Sequence, residues 1–391
     1  MEGRTAEKFV GDSRERSRLL VSITGVAVIL VLIAAAVEIG AYCCTTYLAR
    51  KYGILFYLPQ ITEDYATYAA RVNPLLGWPS PQALAQEPGS RLPAPISAYG
   101  DSFTAGFGVE PGSAWSNVLS RMLGVPIANF GVPGYGTDQA YLRFREQAED
   151  GAEIVLLGVL SENIQRNVNQ LRNFLIPSPQ CQTKPRFGLD DQGYLRLVPL
   201  PHLTAENYGD FIRNPERYLK HDYFVPGGLS GAQKLEFPYT WSILKAYRFF
   251  YDRYVRGYKS YLQFYLPGHP SRAFPLTVAI IRQFVQEAHD RGKRPIVVVF
   301  PTDEDFRFYK KKNKFVYEPL IREFKEMGFE YIDLGPELLK RLGRKDYLEL
   351  FLGGQYRHFN RKGNRLTAEI LFDYFQARGI IPSGKAAGGS G

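Results

Sequence analysis

Apolar residues fall into three regimes along the chain. Leu19 to Val37 reads LLVSITGVAVILVLIAAAV, nineteen residues without a charge, and apolar character continues past Glu38 towards Leu48. A helix needs about 20 such residues to cross the hydrocarbon core of a bilayer. A signal peptide has a shorter apolar core, about 7–15 residues, so the pattern predicts a membrane-spanning helix over 19–44. Residues 45–94 are rich in Pro, Gly and Gln with little sustained periodicity and read as a tether. From residue 95 the pattern alternates between short continuous apolar runs and stretches with helical spacing.

The alternation defines a fold class. Ile96–Tyr99, Val125–Phe130, Glu153–Leu160 (EIVLLGVL), Pro295–Phe300 (PIVVVF) and Phe329–Leu334 (FEYIDL) read as strands. Continuous apolar runs of this kind suit strands buried on both faces. Helices are expected over Ala114–Leu123, Thr137–Ala148, Leu276–Arg291 with Gly292 beyond its end, and Leu366–Phe375. Strands alternating with helices imply a three-layer α/β/α domain of flavodoxin-like type over 95–380, with a parallel sheet. Ligands of such sheets bind beyond the carboxyl ends of the strands.

Between about 164 and 274 the alternation stops. This insertion contains a hairpin signal, Phe187–Leu197 (FGLDDQGYLRL), and a stretch crowded with aromatics from Trp241 to Tyr265. Tyr247, Tyr251, Tyr254, Tyr258 and Tyr261 recur at spacings of four, three, four and three, which places them on one face of a helix. Three readings of that face remain open: packing onto the domain, an interfacial helix on the outer leaflet, or a lid that stacks on sugars. The last residues, 381–391, resemble an expression linker and are excluded from fold reasoning.

Charge sets the orientation. Arg4, Lys8, Arg14, Arg16 and Arg18 precede the apolar run, within the segment 1–18, while Arg50 and Lys51 follow it. The positive-inside rule then places the N-terminus in the cytoplasm and everything after about residue 45 outside a single-pass inner (cytoplasmic) membrane, in a periplasm or the extracellular space. Glu38 falls near the outer end, where it meets headgroups or a partner helix. The net charge of +9 favours anionic partners. No helix-turn-helix, zinc-finger or RNA-recognition pattern accompanies it, so nucleic acid is not expected. Only Cys43, Cys44 and Cys181 occur, without metal-ligand spacing, and the five histidines lack it too; no metal and no cofactor is expected. Tyr42 before Cys43 does not suit lipoprotein processing.

The first strand of the domain runs directly into Gly100-Asp101-Ser102-Phe103-Thr104-Ala105-Gly106. A serine on a tight strand-to-helix turn raises its hydroxyl above the sheet edge, with its backbone N–H facing the same space. Gly-Asp-Ser alone is equally a structural turn. With its companions, however, the chain resembles the SGNH/GDSL hydrolases, and more closely their bacterial membrane-anchored branch, over roughly 95–378. GDSFTAGFGV resembles the nucleophile block, NFGVPGYGTDQA (Asn129–Ala140) the second, VLSENIQRN (Val159–Asn167) the third, and HFNRKGNRLTAEIL (His358–Leu371) the last. KPRFGLDDQGYLRLVPLP (Lys184–Pro201) is similar to an insertion of that branch.

The resemblance implies roles. Ser102 would be the nucleophile and His358 the general base. The N–H groups of Ser102 and Gly134, chosen over Gly131, and the side chain of Asn163 would hold the oxyanion. It implies an ester of an envelope carbohydrate or lipid as substrate, with acetylated polysaccharide favoured, and either water or a sugar hydroxyl as acceptor. Members of the family carry an Asp two or three positions before the histidine, where this chain has Tyr356 and Gln355; Asp333, Asp346 and Glu349 are the acids nearby in sequence. The expected partners are the bilayer, the ester substrate and a membrane protein. The alternative reading is a catalytically degenerate membrane subunit that keeps the fold and binds a glycan or protein.

Overall fold

Ile96–Tyr99, Ile127–Asn129, Ile154–Leu160, Arg294–Phe300 and Tyr331–Asp333 are the strands of one five-stranded sheet, and all four pairings are parallel. In chain order the arrangement across the sheet is second, first, third, fourth, fifth, the flavodoxin-like order. Every residue of Ile154–Leu160 is buried, because this strand has a neighbour on each edge and helices on each face. Its unbroken apolar run is the sequence trace of that position. Trp115–Leu123 packs against Arg361–Ala377, which also meets Leu334–Leu342, while Thr137–Glu146 packs against Ala273–Asp290. Right-handed crossovers in this strand order send these two groups to opposite faces. The architecture is therefore three-layer α/β/α with a parallel sheet.

The computed structural model describes residues 3–52, 56–79, 93–147, 150–251, 261–354 and 357–380. They form two units, one from 1–59 with 226–257 and the other from 60–225 with 258–391.

In the larger unit, the segment read from sequence as a tether is more than a tether. Tyr65–Arg71 is a helix capped by Asp64, and Leu76 is fully buried. Tyr68 joins Leu171, Cys181, Leu203, Tyr208, Phe211 and Leu219 in a satellite core. Arg71 holds Glu63 in a two-pronged ion pair and also donates to the Cys181 carbonyl at 2.8 Å. Apart from Glu63, these partners lie more than a hundred residues away, so local periodicity carries no sign of them. The hairpin forms as expected, with Arg186–Leu189 antiparallel to Leu195–Val198 and Phe187 opposite Leu197.

The smaller unit contains a helix from Gly3 to Tyr52, longer at both ends than the expected 19–44. Its Leu20–Arg50 portion is long and apolar enough to cross a membrane. Phe56–Tyr57 pairs with Gln233–Lys234, and the helix Tyr239–Phe250 packs along the N-terminal helix. Tyr247 is exposed on this helix, Tyr254 and Tyr258 lie outside the described residues, and Tyr261 opens a 3-10 turn, Tyr261–Tyr265, buried in the larger unit. There the Tyr261 hydroxyl meets Thr302 Oγ1 at 2.6 Å and donates to Asp305 Oδ1 at 3.0 Å. Buried partners for a phenol outweigh the local spacing.

Candidate active site

The Ser102 loop is built by a cap and by missing side chains. After Tyr99 the chain turns, and Asp101 Oδ1 accepts from Phe103 N at 2.9 Å, capping the short helix Ser102–Ala105. A Cβ at Gly100 would lie 2.0 Å from Thr104 Oγ1, and one at Gly158, on the neighbouring strand, 1.9 Å. The helix thus sits directly on the sheet, and only glycine at these two positions permits it. Ser102 is 4 % exposed, with its Oγ 2.9 Å from His358 Nε2.

His358 arrives from the opposite end of the chain on an anchored loop. Phe351 bridges Phe359, and Leu352 N donates to the His358 carbonyl at 2.8 Å. Asn360 caps the final helix through Gly363 N at 3.0 Å, while its amide donates to the Glu349 and Phe351 carbonyls. The imidazole packs between Phe103 and Phe107, ring centroids 5.3 and 5.1 Å away. Tyr356 and Gln355 lie outside the described residues. Arg357 is balanced by Asp303 at 3.5 Å. The acids near in sequence are engaged elsewhere. Asp333 accepts from Tyr317 and Gly335, Asp346 from Lys310 and Leu348, and Glu349 pairs with Lys362.

Asn163 follows the central strand as the first residue of the helix Asn163–Arg166. It is 1 % exposed, and neither its amide nitrogen nor its amide oxygen has a hydrogen-bond partner. A buried amide left unpaired costs about 1–3 kcal/mol, so such a group calls for a ligand. Gly134, after the edge strand, has φ +96°, a conformation that favours glycine, and its carbonyl accepts from Arg172 at 3.0 Å. Gly131 spends its N–H on Asn129 Oδ1 at 2.9 Å, and a Cβ there would strike Ala105 N at 2.4 Å. Its glycine serves the close approach of the Ser102–Ala105 helix. Ser102, Gly134 and Asn163 therefore sit on loops from the carboxyl ends of three adjacent strands.

Sequence reasoning passed over the residue that ties these loops together. Arg166 Nη1 donates to the Tyr135 carbonyl at 3.0 Å and to Asp101 Oδ2 at 3.4 Å, while Nη2 donates to Glu162 at 3.0 Å. One guanidinium thus joins the loops that carry Asp101, Tyr135 and Glu162, and its fork geometry suits that task. Asp101 is fully buried; burial pushes its carboxyl up, and Arg166 pulls in the opposite direction. Arg166 stands inside the third quoted block, but nothing in that block says which loop it reaches. Trp78 was also missed. Its ring lies 3.1 Å from where a Gly134 Cβ would be, Arg172 stacks over it at 5.8 Å, and Gln139 Nε2 donates to its carbonyl at 2.9 Å.

A flavodoxin-like sheet with a serine after its first strand and a histidine just before its last helix is the arrangement that the SGNH/GDSL resemblance implied. Solved structures similar to the chain include a G-D-S-L family protein from Desulfitobacterium hafniense, 14% identical over 71% of this chain and 97% of that one, with TM-score 0.35. A lipolytic G-D-S-L family member from Veillonella parvula is 14% identical over 72% and 97%, with TM-score 0.35. A psychrotrophic esterase from Pseudoalteromonas sp. is 11% identical over 73% and 98%, with TM-score 0.33. No family model and no curated protein matches the chain.

Proposed function

We propose that the chain is a membrane-anchored serine esterase or O-acyltransferase of the SGNH/GDSL type, acting on ester groups of an envelope carbohydrate or lipid, O-acetyl groups foremost. The observation that carries this reading is the 2.9 Å contact of Ser102 Oγ with His358 Nε2, on a loop that shares Arg166 with the unpaired Asn163 helix. A serine within hydrogen-bond reach of an imidazole is the minimal unit for nucleophilic acyl transfer.

The chemistry proceeds in two balanced halves. Ser102 Oγ attacks the ester carbonyl carbon as its proton passes to His358 Nε2. The carbonyl oxygen becomes an oxyanion, held by the Ser102 and Gly134 N–H groups and the Asn163 amide. Its collapse breaks the bond to the leaving oxygen, which takes the proton from His358 and departs as an alcohol. Water or a sugar hydroxyl then attacks the acyl-Ser102 ester, giving its proton to His358; the acyl–Oγ bond breaks, Ser102 Oγ takes that proton back, and a carboxylic acid or the new sugar ester leaves. The envelope substrate follows from the apolar N-terminal helix and its flanking charges.

A fluorophosphonate probe on the purified full chain tests the reading. Labelling should occur at Ser102 and vanish in Ser102→Ala and His358→Ala. Unlabelled, well-folded wild type would sink the enzyme reading in favour of a binding subunit.

A further inference from the structure

The helix Tyr239–Phe250 is apolar on both sides. Tyr239, Ile243, Ala246 and Phe250 form its inner face. Ala246 is 1 % exposed, Tyr239 meets the Tyr42 ring at 5.0 Å, and Phe250 meets Phe56 at 5.4 Å. The outer face carries Trp241, Leu244 and Tyr247, exposed by 55%, 65% and 69%, with Phe237 at 73% just before the helix. Exposed apolar side chains clustered like this mark a docking face rather than ordinary surface.

The adjoining helix indicates what covers that face. Glu38 caps the start of Tyr239–Phe250, its carboxylate accepting from Tyr239 N, Thr240 N and Thr240 Oγ1. Those backbone N–H groups would otherwise find no partner in an apolar setting. Glu38 stands 18 residues after Leu20, the first residue of the apolar span. At 1.5 Å per residue this is about 27 Å, close to the roughly 30 Å thickness of a hydrocarbon core. A bilayer entered at Leu20 therefore has its far boundary at the capped end. Lys245 reaches over the Trp241 ring at 5.8 Å, as a cation does when its stem lies in apolar surroundings and its head seeks the headgroups. Trp and Tyr are the residues enriched at that depth.

We propose that Tyr239–Phe250 lies in the outer interface of the same bilayer that the N-terminal helix crosses, with Phe237, Trp241, Leu244 and Tyr247 set among lipids. The inference rests on the membrane-spanning reading of Leu20–Arg50 and adds a second contact to it. A lone spanning helix is free to rotate about its axis. A second helix, bound to it through Glu38 and the Tyr42–Tyr239 contact, fixes which way this unit faces.

The test uses the full chain reconstituted in vesicles of phosphatidylcholine and phosphatidylglycerol, with bromine placed either near the carbonyl end or near the tip of the acyl chains. The chain has three tryptophans; Trp115 is buried in the α/β core, and Trp78 is partly buried beside Gly134. Bromine near the carbonyl should quench part of the tryptophan emission, more than bromine at the chain tip does, and Trp241→Phe should remove that quenched part. If the protein floats with the vesicles but wild type and variant are quenched alike, or not at all, the face is covered by protein or by water and the proposal is overturned with the anchor intact. If the protein does not float with the vesicles, the spanning reading fails and takes this proposal with it.

Discussion

Among single residues, Asn163 carries the sharpest energetic signal, because its buried amide has no hydrogen-bond partner and an oxyanion would supply one. Replacing it by Ala should leave stability unchanged or raised and lower kcat on an acetyl ester by about 10²–10³, the usual effect of removing one oxyanion donor. Circular dichroism melts beside steady-state rates check both halves; an unchanged rate would remove Asn163 from the site. The positions before His358 permit a complementary gain. Neither Tyr356 nor Gln355 carries a carboxylate, and losing one there costs some serine enzymes about 10⁴-fold in kcat. Tyr356→Asp or Gln355→Asp should raise kcat, with tenfold equivalent to about 1.4 kcal/mol, and the gain should vanish in the Ser102→Ala background. Asp305 sets a pH dependence. Burial pushes it from 3.8 up to about 7, while Ser161, Thr302 and Tyr261 donate to it. The folded protein thus holds this proton more tightly than the unfolded chain does. The resulting stability is complete below about pH 4 and is lost as the pH rises through about 7. Thermal melts in detergent should show that slope in wild type and a flatter one in Asp305→Asn, even though the variant is less stable throughout. Parallel slopes would refute it.

At the level of elements, the site depends on how closely short helices sit on the sheet. Asn360 both caps the final helix and anchors the loop that carries His358. Asn360→Ala should cost about 1 kcal/mol as a lost cap and lower kcat by more than that stability loss explains, because His358 loses its anchor; a change in melting temperature with full kcat would limit Asn360 to capping. The strands were legible because burial on both faces writes itself into consecutive residues, as at Ile154–Leu160. The Ser102 and His358 blocks were legible because each lies where a strand ends or a helix begins. Trp78, Arg166 and Arg172 were not, since their roles depend on partners brought near only by the closed sheet. The same reason hides the order of residues 60–79, which comes from Tyr68 packing beside Leu171 and Cys181 rather than from any periodicity of their own. In the aromatic stretch, Tyr247 stays exposed on its helix, while buried hydrogen bonds hold Tyr261 in the core of the larger unit.

For the molecule as a whole, the ends of the apolar helix decide on which side of a membrane the Ser102–His358 pair would work. Arg4, Lys8, Arg14, Arg16 and Arg18 stand before the span, with Arg50 and Lys51 after it. Orientation follows the Lys and Arg count near the span rather than net charge, so five against two predicts a cytoplasmic N-terminus. Glu38 bears on where the span ends rather than on its direction. It lies towards the end of the span that leads into the rest of the chain, and its carboxylate is occupied by Tyr239 and Thr240. A membrane-boundary position suits a carboxylate that serves as a helix cap, because buried in hydrocarbon it would carry a heavy desolvation penalty. The α/β domain should therefore be removed by protease added to intact spheroplasts, leaving an N-terminal fragment that contains residues 1–50 in the membrane. Changing Arg14, Arg16 and Arg18 to Gln while adding lysines after Lys51 should reduce or reverse that accessibility, since the asymmetry alone sets the direction. Protection of the wild-type domain in intact spheroplasts, with digestion only after lysis, would place it in the cytoplasm. An envelope ester would then no longer be within reach of Ser102, and the substrate would have to be sought among cytoplasmic esters.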